Sequence, residues 1–407
     1  MASVSFRTDE KGSHLLRNPK FRLWWLSFGT SLLGDQFYVV ALPWVILQLT
    51  GSAVAMGTVM MLGSIPRTVL MLMGGAISDR FAPRRVMLAT ALTRALLVAA
   101  VAWLLWASEL RLGYLFVLAL AFGVADAFEI PAFQAFLPSL VRPEQLVAAN
   151  SLGNAAIQFT STAGPAAAGI FIKAFGAAWA FFLDAFSFVF LIFALCMLPD
   201  RPIANAEANK LPIWRAVSVG LTYVYNDRSL LTVGVLSGVV NLSITGAITV
   251  GLAELAKVRF GSPAMYGFWV SAYFAGSLIG SLLAGRYKVN RRGLMMLRVC
   301  AGVGIGLLCV GVLKYAWAIA GVIFCMGGAL AFNNVHMQAW CQRRIDPSML
   351  GRVMSVLMLA SFGLMPVSMF MAGVLAQWSL LILYTVCGIS LLATLAWAAL
   401  YSPLREI

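Results

Sequence analysis

The sequence predicts an all-α membrane protein, with twelve spanning helices in two pseudo-symmetric six-helix bundles. Three observations predict it. Of 407 residues, 61% are hydrophobic and only 11% charged, where a soluble domain carries about 25% charged residues; mean hydropathy is +0.89. Crossing a hydrocarbon core of about 30 Å takes about 20 apolar residues of helix. Twelve segments qualify, near 23–49, 53–78, 86–107, 112–137, 146–173, 176–198, 230–253, 264–286, 294–313, 316–341, 350–376 and 378–401. Finally, two arginine-rich turns, Asp79-Arg80-Phe81-Ala82-Pro83-Arg84-Arg85 and Gly285-Arg286-Tyr287-Lys288-Val289-Asn290-Arg291-Arg292, stand 206 residues apart, each between apolar runs.

The first run follows Arg7, Lys11, Arg17, Lys20 and Arg22. It is too long for a signal-peptide core and lacks a prompt small-residue cleavage site, so it reads as a retained span. Thr50-Gly51-Ser52 and Gln377-Trp378-Ser379 read as tight hairpins. Counted by side, 23 of the 29 Lys and Arg residues, Arg94 among them, fall with the N-terminus, five on the other side and Arg67 alone within a span. That asymmetry predicts both termini in the cytoplasm of a bacterial inner membrane and an even number of spans. A connection holding Pro199, Pro202 and Pro212 divides the chain into a bundle at 1–198, a linker at 199–229 and a bundle at 230–407. In the linker Ile213, Val217, Leu221 and Val224 recur at helical spacing, as in an amphipathic helix on a membrane surface or between bundles.

The halves echo each other elsewhere. Gln134 and Gln338, Pro143 and Pro347, and Leu146 and Leu350 each lie 204 residues apart. The repeat is parallel, because each half begins on the same side. Duplicated bundles that rock against each other are a common route for moving solutes across bilayers.

These motifs are similar to those of the major facilitator superfamily. Gly75-Ala76-Ile77-Ser78-Asp79-Arg80-Phe81-Ala82-Pro83-Arg84-Arg85 resembles that family's loop motif between spans 2 and 3, departing from it at Ala82 and Pro83. Leu16-Arg17-Asn18-Pro19-Lys20-Phe21-Arg22-Leu23-Trp24, Leu33-Gly34-Asp35-Gln36, Glu129-Ile130-Pro131-Ala132 and Leu146-Val147-Ala148-Ala149-Asn150-Ser151-Leu152 resemble the drug:proton antiporter branch, which holds macrolide-efflux and enterobactin-exporter proteins. The resemblance covers essentially the whole chain. It implies the major facilitator fold and a latch of Asp79, Arg80 and Gly75 between the halves. Gly285 replaces the aspartate in the second copy, so only the first should latch. Arg84 and Arg85 read as plain basic anchors. Gly164-Pro165-Ala166-Ala167-Ala168-Gly169 resembles the family's antiporter motif, with Gly164, Pro165 and Gly169 as a bend, or reads as ordinary small-residue packing.

Ionisable side chains inside spans are costly and point to function. Asp35, Arg67 and Asp126 each lie about 18 Å in at 1.5 Å per residue, Asp184 about 20 Å, and Glu129 one turn nearer the cytoplasm than Asp126. Hydrocarbon favours the neutral acid and a nearby guanidinium favours the charged one. A carboxyl balanced between them takes up and releases protons, and a cationic substrate competing for it couples the two fluxes. Asp35, Arg67, Asp126 and Glu129 are therefore the proton-coupling candidates, or a static pair between spans 2 and 4. Asp184, among phenylalanines, reads as structural. Asp35, Asn241, Phe332, Asn334 and His336 are candidates to line the substrate path; His336 reads equally as a hydrogen-bonded packing residue.

Other functions are excluded by what the chain lacks. No P-loop, nucleophile–base pair or metal-ligand spacing occurs, so no enzyme, cofactor or metal is expected. Cys196, Cys300, Cys309, Cys325, Cys341 and Cys387 form no CxxC pair and read as small apolar residues. The net charge of +14 sits in turns, not on one face, which argues against nucleic acid. The expected function is export of bulky amphipathic drugs by proton antiport with alternating access, the partners being a small-molecule substrate, protons and the lipid bilayer. The alternative is a dedicated exporter of a siderophore or lysolipid-like metabolite. Similar proteins work as monomers, and a monomer is expected.

Overall fold

The computed structural model describes residues 15–78, 82–198, 213–287, 289–346 and 349–400. Among them there is no strand, and twelve helices are long and apolar enough to span a membrane. Asp79 and Arg80 of the expected latch lie outside the described residues, while Gly75 falls within the second span.

Spans 1 to 6 are α1 (Pro19–Thr50), α2 (Ala53–Ser78), α3 (Pro83–Trp106), α4 (Leu112–Leu140), α5 (Leu146–Phe175) and α6 (Ala177–Met197). A linker helix α7 (Ile213–Asn226) follows, so the helical spacing read there does form a helix. Span 7 is α8 (Arg228–Gly246), a wide turn at Ala247–Gly251, and α9 (Leu252–Phe260). Then come α10 (Pro263–Arg286), α11 (Arg292–Val312) and α12 (Ala316–Arg344). Span 11 is α13 (Leu350–Phe362) with α14 (Met365–Trp378), and span 12 is α15 (Leu380–Leu400).

Local signals set the boundaries. Asn18 accepts from the Lys20 N–H with Pro19 at the first helical position, so α1 starts earlier than hydropathy alone suggests. Gly51, at φ 66°, turns the chain into α2. Span 7 runs on to Phe260, seven residues past the predicted end, so Lys257 and Arg259 belong to a last helical turn and not to a loop. The wide turn in span 7 has a side-chain cause. The Ser368 hydroxyl on α14 donates to the Leu242 carbonyl and accepts from the Gly246 N–H, at 2.5 and 2.8 Å. Tyr384 and Tyr266 donate to the carbonyls of Ala247 and Thr249. Backbone groups freed from the α pattern are thereby satisfied.

The first six spans pack mainly among themselves, as α1 on α5 and α6, α2 on α4, and α3 on α4 and α6. In the second half α10 packs on α12 and α11 on α15. Two seams join the halves, α2 on α14 and α5 on α10. In the second seam an added Cβ at Gly169 would meet the Pro263 carbonyl and one at Gly267 the Pro165 carbonyl. The glycine–proline stretch read as a bend or as small-residue packing thus lines a contact between halves.

Both ends of the described chain lie on one face, here the terminal face. The seams close at the other. Along α5, Gly169 and Pro165 are buried, Gln158 is half-buried, and Asn154, Ser151 and Val147 are exposed on the same stripe. Along α10, Pro263, Gly267 and Ser271 are buried, whereas Leu282 and Gly285 are exposed. The halves therefore diverge toward the terminal face.

Side chains of the second half also cap the α1–α2 hairpin of the first. Lys257 donates to the Leu47 carbonyl at 2.6 Å, in the last turn of α1, where that carbonyl also accepts from the Gly51 N–H and the helix dipole favours a cation. Gln377 accepts from the Ala53 N–H at 2.8 Å and the Ser52 hydroxyl at 3.1 Å, at the start of α2. A hydrogen bond to a charged group contributes about 1.5–3 kcal/mol, so Lys257→Met should shift the open-to-closed ratio at this face roughly tenfold toward open. Distances between spin labels across the α2–α14 seam read that ratio; an unchanged distribution would remove Lys257 as a closing contact.

At the terminal face Asp227 caps α8 through the N–H groups of Ser229 and Leu230, at 2.9 and 3.3 Å, and pairs with Arg344 at 2.7 Å. Partial burial alone would raise its carboxyl. The Arg344 and backbone hydrogen bonds outweigh that and hold it below the ordinary 3.8. A depressed carboxyl contributes stability above its unfolded pKa and loses it as pH falls through the folded value. Asp227→Asn should therefore lower the unfolding midpoint near pH 6, with the difference from wild type closing as pH drops below about 4. Thermal unfolding in detergent across that range checks it.

Candidate functional site

The charged groups predicted within spans do meet, but around a residue the sequence reading placed elsewhere. Arg94, counted with the loop charges, sits on α3 eleven residues past Pro83 and is only 4% exposed. Its guanidinium bonds Asp35 of α1 at 2.5 Å and Glu129 of α4. The Phe122 and Phe188 rings lie 4.7 and 4.6 Å from it. Three helices are pinned by one cation, and two aromatic faces keep water away from it. The depth arithmetic that identified Arg67 would have found Arg94 too, since it lies within Met87-Leu88-Ala89-Thr90-Ala91-Leu92-Thr93-Arg94-Ala95-Leu96-Leu97-Val98.

Arg67 pairs with Asp126 at 3.0 Å, and their side chains are 48% and 19% exposed. Geometry brings them together one turn beyond a backbone crossing. A Cβ at Gly123 on α4 would strike the Gly63 carbonyl on α2, so the absence of side chains there lets the helices close up. Arg67 also follows Ser64, which contacts Met369 across the seam at 3.5 Å. It therefore stands where the halves begin to part. Of the two acids read from sequence as partners for Arg67, Asp126 is the one it pairs with, across α2 and α4, while Asp35 pairs with Arg94.

Asp184 on α6 is fully buried, and neither carboxyl oxygen accepts a hydrogen bond. The neighbouring Ser187 hydroxyl donates instead to the Asp184 carbonyl at 2.7 Å. On α1, Gly34 leaves room for this carboxyl; a Cβ there would fall 2.7 Å from Asp184 Oδ1. Arg84, read as a plain basic anchor, donates to the carbonyls of Leu195 and Cys196 at 2.6 and 3.0 Å and so caps α6.

The second half supplies a polar–aromatic wall with few charges. His336 is buried, with Nδ1 3.1 Å from the Phe332 carbonyl and Nε2 3.0 Å from the Tyr287 carbonyl, and its ring stacks on Phe332. It ties α12 to the end of α10. Asn241 donates to the Ser237 carbonyl in its own helix. Asn334 is exposed, while the Asn333 Oδ1 is buried without a partner. Among the described residues no group of three or more metal-ligating side chains occurs.

A buried guanidinium that loses its counter-charges, or leaves them behind, costs far more than an exposed pair. Arg94→Met should lower stability by about 3–5 kcal/mol, and Arg67→Met by about 1 kcal/mol or less. Asp35→Asn on the Arg94→Met background should recover part of the loss. Detergent thermal unfolding distinguishes these; equal effects at Arg94 and Arg67 would contradict the burial argument.

Comparison with known proteins bears on this architecture. Residues 24–362 match the family model described as Major Facilitator Superfamily. The chain is 26% identical over 392 residues to the uncharacterized MFS-type transporter YfiS of Bacillus subtilis, covering 92% of this chain and 91% of that one. It is 27% identical over 370 residues to the multidrug efflux pump Tap of Mycolicibacterium fortuitum, covering 86% and 87%. It is 24% identical over 343 residues to the enterobactin exporter EntS of Escherichia coli O1:K1, covering 84% and 81%. Among solved structures, the nucleoside transporter NupG superposes with a TM-score of 0.73 at 12% identity, over 94% of this chain and 99% of that one. A bacterial homologue of the iron transporter ferroportin in an inward-facing state gives 0.72 at 18% identity, over 96% and 99%.

Proposed function

The chain belongs to the Major Facilitator Superfamily and is a multi-pass membrane transporter, and from that premise we propose that it exports bulky, cationic or polar amphipathic compounds in exchange for protons. The observation that carries this reading is Arg94 held between Asp35 and Glu129 beside the Arg67–Asp126 pair. Four carboxyls (Asp35, Asp126, Glu129 and Asp184) face two guanidiniums. With every group ionised, the cluster would hold two more negative than positive charges. An excess negative charge in hydrocarbon must be met by bound protons or by a cation. A site that accepts either, but not both at once, exchanges one for the other.

The cycle then needs access from each side in turn. In this reading the terminal face is cytoplasmic, in keeping with the basic turns at that face. The arrangement described here offers the pairs to a compound entering from the cytoplasm, and the Lys257 and Gln377 contacts close the outer side. Rocking about the α2–α14 and α5–α10 seams exposes the site outward, where protons displace the cargo. The apolar and aromatic residues of the second half, with Asn334, Phe332 and His336, suit a bulky amphipathic body. A dedicated siderophore exporter is the second reading, favoured by the similarity to EntS.

Everted membrane vesicles with an imposed pH gradient, tested over a panel of lipophilic cations and siderophores, decide between them. Asp35→Asn and Glu129→Gln should abolish gradient-driven uptake while leaving the amount of inserted protein unchanged. Normal uptake in both variants would refute proton coupling at this cluster.

A further inference from the structure

Two buried groups within the first half are unsatisfied in complementary ways. The Arg94 Nε–H lacks an acceptor, and both oxygens of Asp184 lack a donor. Arg94 stacks on Phe188, one helical turn from Asp184 on α6, and the two groups interact electrostatically. α3 and α6 pack directly on each other. A carboxyl sealed there without a hydrogen bond has no group to bear its charge while Arg94 is engaged elsewhere.

We infer that Asp184 is the alternate counter-ion of Arg94 and a second proton site of the transport cycle. In the arrangement described, Arg94 bridges Asp35 and Glu129, and Asp184 is a neutral acid. In the alternate arrangement Arg94 keeps Glu129 but exchanges Asp35 for Asp184. The O–H bond at Asp184 breaks, an O–H bond at Asp35 forms, and the guanidinium moves in the opposite direction. Charge and proton number are conserved within the pocket. The step therefore needs no outside co-reactant, and it delivers a proton from a sealed site to Asp35, which is 18% exposed.

The surroundings suit such a switch. The charged groups that act on Asp184 are Asp35 on α1, Arg94 on α3 and Glu129 on α4, and Tyr38 on α1 lies within its field. The fourth helix in contact, α5, carries only Lys173, at its far end. Among the described residues, Arg94 is the cation that this packing brings to Asp184. Gly34 keeps the α1 backbone next to the Asp184 carboxyl, so that Asp35 and Asp184 flank one small space.

This inference rests on the proton-exchange reading for its purpose, but its first test does not. Infrared spectra of the purified full-length protein at neutral pH should contain a carboxylic-acid carbonyl band that exchanges slowly with deuterium. Asp184→Glu should shift that band. Asp35→Asn, which mimics a protonated Asp35, should abolish it as Arg94 transfers to Asp184. Absence of the band in wild type, or its persistence in Asp35→Asn, would overturn the switch. The second test is transport of tetraphenylphosphonium in vesicles. Asp184→Asn should lose pH-driven accumulation yet keep gradient-free exchange, with Asp184→Glu restoring the drive; loss of both activities, or of neither, would also overturn it. If wild type itself shows no pH-driven movement of a panel of cations, the exchange reading fails and the infrared result stands by itself.

Discussion

The guanidinium of Arg94 constrains the first half of the molecule more than any other group. A charge within a span is tolerated only when paired and enclosed. Here the pairing draws on Asp35 of α1 and Glu129 of α4, and the enclosure on Phe122 of α4 and Phe188 of α6. Three other spans, α1, α4 and α6, are thereby placed relative to α3 by a single side chain. The remaining helix contacts follow from shape. Gly63 against Gly123 and Gly34 against Ser187 are approaches that only a missing side chain permits. Association in lipid gains little from burying apolar surface, so close backbone contact and internal polar pairs carry the packing.

The bonds between the halves are of another kind. Lys257 to the Leu47 carbonyl, Gln377 to Ser52 and Ala53, Ser271 to the Ala166 N–H, and Gln158 to the Phe274 carbonyl are single hydrogen bonds, each between a side chain and a helix end or backbone group. Each is worth about 0.5–3 kcal/mol net, and water or a local rearrangement replaces it when a seam opens. The ion pairs described lie within one half or the other: Arg94 and Arg67 in the first, Arg344 with Asp227 in the second. Parting the halves therefore breaks weak bonds and leaves the costly ones intact.

Much of this was readable in the chain. Runs of about twenty apolar residues marked the spans, because hydrocarbon thickness sets their length regardless of tertiary detail. Asn18-Pro19 and the turn at Gly51 follow from local capping chemistry. The failures share one cause. Arg94, Lys257 and Arg84 were treated as charges that mark loops, whereas a long cationic side chain near a helix end or within a helix also serves as a hydrogen-bond donor to a distant element. Arg84 caps α6, Lys257 caps α1, and Arg94 crosses to two helices. Their partners are 35 to 210 positions away in sequence: Glu129 and Asp35 lie 35 and 59 residues from Arg94, Leu195 lies 111 from Arg84, and Leu47 lies 210 from Lys257. No periodicity encodes such pairings. Likewise, the wide turn in span 7 depends on Ser368, 122 residues from Gly246, and hydropathy alone could not have located it.

Duplication makes two similar bundles, yet among the described residues the buried charge cluster lies in the first; separately, the turn of the second half that matches residues 79–85 begins with Gly285. That division has a mechanical consequence. If acids stood on one bundle and bases on the other, each opening would separate ions in a medium of low dielectric, at a cost of several kcal/mol per pair. With all members in one bundle, no ion pair of the cluster spans the two halves. The described polar and aromatic residues of α12 in the second bundle include Phe332, Asn333, Asn334 and His336, none of them carrying a fixed charge. Keeping each ion pair within one half leaves the seams to single hydrogen bonds and close backbone contacts, so no charge has to be separated where the halves meet.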